Sequence, residues 1–242
     1  MKKVTVKHSL ITIASLCSLG LYIAFALEVT GITSKAGNTS LAEFDLIKTS
    51  VSREGQNLVF TQTVSGKAGA STPTSSGKFE GSQVYSYVWP TSLDSSVVGF
   101  AAKQGVLALA ATFHPDFDDG AAGAKNRTVW HSHWVVLVPD DACGKGNLKV
   151  KDIPEGSKPK LPVTWPGAPI LIDSPNFQPK FQDSSIRVEV PLKALGFRRG
   201  FKFDGVTAGL RVNSSIHAPL LCVADVFDIA SGDLSLPGKV GK

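Results

Sequence analysis

The stretch Thr128-Val-Trp-His-Ser-His-Trp-Val-Val-Leu-Val-Pro139 decides the fold, because it has the clearest strand pattern in the chain. β-Branched and aromatic residues dominate it, and a proline ends it. Side chains alternate between the two faces of a strand, so His131 and His133 share one face, while Trp130 and Trp134 take the other. The two histidine backbones lie about 7 Å apart, a spacing that suits two ligands of one metal ion.

Short segments with strand patterns continue on both sides of this stretch, and no long amphipathic helix interrupts them. The other predicted strands cover residues 44–51, 58–64, 83–89, 105–113, 148–152, 185–190, 203–212 and 219–229. Pro191 and Gly196 bracket one helical turn. Nine or ten short strands without intervening helices predict an all-β domain over residues 27–242, an antiparallel β-sandwich of jelly-roll or immunoglobulin-like type.

The first 26 residues have the pattern of a signal peptide. Lys2, Lys3 and Lys7 make a basic start, an apolar run follows, and Ala24-Phe25-Ala26 is a small-x-small cleavage site. The run is also long enough for an uncleaved membrane anchor, which stays open as an alternative. Cleavage predicts an exported protein, periplasmic or extracellular, without a stable membrane span.

The net charge argues against a nucleic-acid partner. Removal of the three signal lysines lowers the formal charge from +5 to +2. The remaining chain has no basic stripe and no interleaving of basic and aromatic residues, which nucleic-acid binding would require.

Two cysteines remain after signal cleavage, Cys143 and Cys222. In an exported protein such a pair most often forms a disulfide, which would close a loop of about 80 residues. Thiolate ligation of a metal is the alternative interpretation.

The mature chain has four histidines, and all of them lie in or beside predicted strands: His114, His131, His133 and His217. Imidazole suits copper, zinc, iron and nickel. If the strand ends that carry His114 and His217 lie beside the strand at residues 128–139, three or four imidazoles converge. The sequence therefore predicts a metal site with His131 and His133 at its centre and His114 and His217 completing it. Packed, hydrogen-bonded structural histidines are the alternative.

Three carboxylates follow His114 closely: Asp116, Asp118 and Asp119. They could bind calcium or supply oxygen ligands beside the histidines. The segment lacks the closing glutamate of an EF-hand loop, and a solvated turn is the alternative.

Aromatic side chains are concentrated on two predicted strands. Tyr85, Tyr87 and Trp89 share one strand face, and Trp134 lies on the central strand. Together they could form a platform for a sugar ring, although aromatic residues in this pattern also form cores.

Two resemblances bear on function. Residues 44–66, with Val188-Glu-Val-Pro-Leu-Lys-Ala-Leu-Gly196, resemble β-sandwich modules of the DOMON and family-9 carbohydrate-binding type. That resemblance implies binding of haem, through an axial histidine, or of sugars. Trp130-His-Ser-His-Trp134 is similar in kind to the secreted copper-binding surface proteins of methanotrophic bacteria, which implies a copper ion held by histidines in a β-rich domain.

Three functions follow from these patterns. The first is an exported metal-binding protein that holds copper in preference to zinc. The second is a carbohydrate-binding module that uses the aromatic platform, and the third is a metal-dependent hydrolase at the same histidines.

Overall fold

The structure is a computed structural model that describes residues 29–198, 200–213 and 220–241. Within those ranges it contains fifteen β-strands and four 3-10 helices. The strands are β1 (Val29–Thr30), β2 (Ile32–Thr33), β3 (Leu46–Glu54), β4 (Asn57–Val64), β5 (Gln83–Pro90), β6 (Val106–Phe113), β7 (His131–Pro139), β8 (Leu148–Val150), β9 (Ile172–Asp173), β10 (Lys180–Gln182), β11 (Ser185–Pro191), β12 (Phe201–Phe203), β13 (Val206–Val212), β14 (Leu221–Ile229) and β15 (Gly238–Val240). The 3-10 helices are Ser95–Val98, Ala121–Gly123, Asp141–Cys143 and Leu192–Leu195.

The strands form three antiparallel sheets, which confirms the predicted all-β antiparallel class. Six strands close into a barrel in the order β6-β5-β13-β14-β8-β7, because β7 pairs back onto β6, and β9 adds to β7. A five-stranded sheet has the order β10-β11-β4-β3-β2, and a three-stranded sheet has the order β1-β15-β12. The predicted strand number is too low, because edge strands of two or three residues carry no detectable periodicity.

Two separate hydrophobic cores result from this arrangement. The first lies between the five-stranded sheet and the outer face of the barrel, where Phe60 of β4 meets Trp89 of β5 and Trp134 of β7. The second lines the inside of the barrel with aliphatic side chains, among them Val88 and Val135. Strands β5, β6 and β7 are therefore covered on both faces.

Strand β7 contributes side chains to both cores, because its side chains alternate between its two faces. Trp134 and Val136 point into the first core, whereas Val135 and Leu137 belong to the second. The predicted alternation is confirmed, although the strand begins at His131 rather than at Thr128.

Two further local predictions are confirmed. A disulfide joins Cys143 to Cys222 with a Cα–Cα distance of 5.4 Å. The helical turn Leu192–Leu195 lies between Pro191 and Gly196, whose left-handed backbone (φ 55°) ends it. None of the helices in the described ranges has the length and apolar content needed to span a membrane.

Candidate metal centre

Strand register brings three histidines together at one end of the barrel. His131 and His133 open β7 on the same face, and both side chains are buried. Strand β6 runs antiparallel beside them, with Thr112 paired to His131. His114 follows the end of β6 two residues after Thr112, and the same alternation turns its ring towards the pair.

The loop between β6 and β7 supplies a carboxylate, Asp119. Asn126 fixes its position, because the Asn126 side-chain amide donates to Asp119 Oδ1 at 2.8 Å and accepts from the Asp119 backbone N–H at 3.1 Å. Asp118 closes the same loop by accepting from the backbone N–H groups of Asn126 and Arg127. The loop thus holds Asp119 over the histidines.

The ligand atoms of these four residues converge. Nε2 of His131 lies 3.0 Å from Nε2 of His114 and 3.1 Å from Asp119 Oδ1. Asp119 Oδ2 lies 3.2 Å from Nε2 of both His114 and His133. All four ligand atoms fall within 4.8 Å of one another, so the group could hold a metal ion.

The outer ring nitrogens show which protons the histidines carry. Nδ1 of His114 lies 2.9 Å from the Phe117 carbonyl, and Nδ1 of His131 lies 2.8 Å from the Val129 carbonyl. A carbonyl oxygen only accepts, so both nitrogens must donate a proton. The lone pairs of the neutral rings then lie on the Nε2 atoms that face the centre.

His133 also donates its Nδ1 proton outwards, to the hydroxyl of Ser174. Nδ1 of His133 lies 3.0 Å from the Ser174 hydroxyl, which donates its own proton to the Asp119 carbonyl at 2.8 Å. The hydroxyl oxygen therefore accepts from His133 Nδ1. Such outward hydrogen bonds are the usual way in which metal-binding histidines are oriented.

Inward-facing lone pairs need a cation. In the neutral state the closest pairs of these ligand atoms lie 3.0–3.2 Å apart, and facing lone pairs at that distance repel each other unless a proton or a metal ion lies among them. Nε2 of His133 is buried and has no hydrogen-bond partner. With bonds of 2.0–2.1 Å, ligand atoms are about 3.3 Å apart in a tetrahedral site and about 2.9 Å apart in an octahedral one. The shortest spacings, 3.0–3.2 Å, match these distances, so the group could hold a metal ion.

The protonation states favour the same conclusion. Burial lowers the pKa of His133 to about 4, and the neighbouring His131 and His114 act in the same direction. His133 is therefore neutral at pH 7, the form that binds metal. Burial alone would raise the pKa of Asp119, but positive charge on His133 and His114, and donation from His114 and His131, when these facing rings are protonated, hold it well below its usual value.

The other predicted oxygen ligands lie elsewhere. Asp116 accepts hydrogen bonds from Ser75, Ser76 and Gly77, which anchor a neighbouring loop and lower its pKa to about 2 against the effect of burial. The Asp118 carboxylate accepts a backbone hydrogen bond within its own loop and forms an ion pair with Lys125. Of the three predicted carboxylates, only Asp119 joins the histidines. His217 lies outside the described residues.

The predicted sugar platform is not at the surface. Tyr87, Trp89 and Trp134 are at most 1% exposed, because they fill the core between the sheets. Tyr85 packs edge-on against Phe44 and Phe227. The three buried rings offer no open face to a glycan, so in this structure they serve as core.

Comparisons with models of protein families, with curated proteins and with solved structures found no match to this chain.

Sequence reasoning missed two residues of the centre, Asn126 and Ser174. Asn126 positions the carboxylate, and Ser174 lies 41 residues after His133 in a proline-rich connection. No local pattern distinguishes either from an ordinary loop residue.

Proposed function

We propose that this chain is an exported metal-binding protein that holds one first-row transition-metal ion with His114, Asp119, His131 and His133. The observation that carries the proposal is the orientation of the three imidazoles. Each donates its Nδ1 proton outwards, to Phe117, Val129 or Ser174, so that all three Nε2 lone pairs meet the Asp119 carboxylate.

The donor set supports copper or zinc as the bound metal. Three imidazole nitrogens and one carboxylate suit borderline divalent ions, among which Cu²⁺ binds most tightly and Zn²⁺ follows. Calcium prefers an all-oxygen shell of six to eight ligands. We therefore rank copper first and zinc second.

Export is supported by two independent features. The first 26 residues have signal-peptide character, and they lie outside the described residues. The disulfide between Cys143 and Cys222 is typical of oxidising compartments.

The direct test is the metal content of mature protein, isolated from its exported compartment without chelator or affinity tag. We expect about one equivalent of copper or zinc per chain, since the four ligands form a single site. Protein that contains no metal and takes up none on titration with Cu²⁺ or Zn²⁺ would refute the proposal.

Asp119→Asn is expected to weaken metal binding by at least about tenfold, because the amide keeps the size of the side chain and loses its charge. The matched control is Asp116→Asn, the same change in the same loop at a carboxylate that contacts Ser75, Ser76 and Gly77 instead. Competition titrations with a chromophoric chelator would measure both affinities. Equal affinities for the two variants would exclude Asp119 as a ligand.

A further inference from the structure

The barrel encloses a cavity that the metal-binding proposal does not use. Its volume is about 400 Å³, within the range of small-molecule sites. Its wall is mainly aliphatic, and inward side chains of the three barrel strands β5, β7 and β13 contribute to it: Val84, Val88, Val135, Leu137, Val206 and Leu210.

Polar groups are concentrated at one end of this cavity. His114, Asp119 and His133 line that end, so three of the four candidate ligands face the void. Thr112, Asp118, Ser86 and Asn147 also line the cavity; the Asp118 carboxylate pairs with Lys125, and the Ser86 and Asn147 side chains donate to the carbonyls of Ala208 and Cys143. Among the described lining residues there is no lysine or arginine. A polar ligand group would therefore find its best partner at the metal centre.

Apolar side chains also line the mouth. Phe79 and Val226 line the cavity and are 43% and 52% exposed. Phe79 packs edge-on against Phe117, which in turn stacks on the His114 ring at 4.0 Å between centroids. An apolar surface thus continues from solvent to the metal centre, as entry of an apolar molecule would require.

We propose that the barrel binds an aliphatic monocarboxylate, with the chain in the cavity and the carboxylate on the metal ion; this rests on the proposed metal site. A divalent ion held by three neutral imidazoles and one carboxylate keeps one positive charge. An anionic head neutralises that charge in a wall that offers no cationic side chain among its described residues. The aliphatic wall accounts for the chain.

The test is calorimetric titration of zinc-loaded protein with dodecanoate and with acetate, because zinc is redox-inert. Each buried methylene strengthens binding about fourfold, so dodecanoate is expected to bind one-to-one and at least about 100-fold more tightly than acetate. Removal of zinc is expected to weaken dodecanoate binding at least about tenfold, because the head loses its partner.

A cavity-filling variant tests the location. Ala208→Phe places a ring inside the barrel and is expected to weaken dodecanoate binding at least about tenfold while zinc content stays unchanged. The control Ala102→Phe adds the same bulk at an exposed position. Val226→Glu, an exposed change at the mouth, provides a second test if Ala208→Phe does not fold, and is expected to weaken dodecanoate binding about fivefold by repulsion.

The outcomes separate the two proposals. One equivalent of zinc with dodecanoate binding no tighter than acetate overturns the cavity proposal and leaves the metal site intact. Dodecanoate binding that is insensitive to Ala208→Phe and Val226→Glu also overturns it, and binding that is equal with and without zinc overturns the coordination of the head. Failure to bind zinc in the same samples would refute the proposed function itself.

Discussion

Replacing both His131 and His133 by alanine is expected to abolish stoichiometric metal binding. Metal sites with four protein ligands bind with roughly 10–16 kcal/mol, so the loss of two ligands costs on the order of 5 kcal/mol. That corresponds to an affinity loss of more than about 1000-fold. The metal content of purified variant and wild type, together with competition titrations, would measure the effect.

Thermal unfolding gives a second measure of the same change. Metal at about 1000 times its Kd stabilises the folded state by roughly 4 kcal/mol. In a domain of this size that raises the Tm by roughly 8–16 °C, and the double variant is expected to show no such rise.

Ser132→Ala is the matched control, because Ser132 lies between the two histidines and points to the other face, where its hydroxyl donates to the Phe177 carbonyl. It is expected to cost about 1 kcal/mol of stability and to keep the metal. Full metal content in the double histidine variant would place the metal elsewhere.

Loss of the disulfide is expected to lower stability about as much as loss of the metal. Cys143 and Cys222 are 79 residues apart, and in the chain-entropy model a loop of this size stabilises the fold by roughly 4 kcal/mol. Cys143→Ser with Cys222→Ser should therefore lower the Tm by roughly 8–16 °C. Urea unfolding with and without reductant would measure the difference in free energy.

The position of this bond makes it important for the barrel. Strands β8 and β14 share a single registered pair in the described part of the chain, Cys222 with Lys149. The disulfide joins β14 to the 3-10 helix at Asp141–Cys143, which follows β7. It therefore reinforces the barrel next to β8 and β14, the neighbouring barrel strands with the fewest registered pairs.

The double serine variant also provides the control, because reductant should shift the unfolding of the wild type and leave the variant unchanged. A wild type whose unfolding free energy changes by less than about 1 kcal/mol on reduction would contradict the prediction.

Much of the strand structure could be predicted from local patterns. The alternation from His131 to Pro139 indicates which side chains share a face, and the hairpin of β3 and β4 follows from two strand-like runs around a turn. The edge strands β1, β2 and β10 have two or three residues, too few for a period of two to be visible.

The candidate site could be predicted only in part. His131 and His133 follow from their spacing, and His114 follows if β6 lies beside β7, which the pairing of Thr112 with His131 bears out. Three aspartates compete as oxygen ligands in the sequence, and only the hydrogen bonds of Asn126 direct Asp119 to the histidines. Such a choice depends on the loop conformation and not on residue type.

By itself, the sequence determined the antiparallel all-β class, the shared face of His131 and His133, and the cysteine pair, because strand propensity and alternation are local properties of the chain. Only the tertiary structure decided that β7 pairs back onto β6, that the aromatic face becomes core, and that the histidine face lines a cavity. What lies opposite a strand face depends on contacts between residues far apart in the chain, and no local periodicity encodes them.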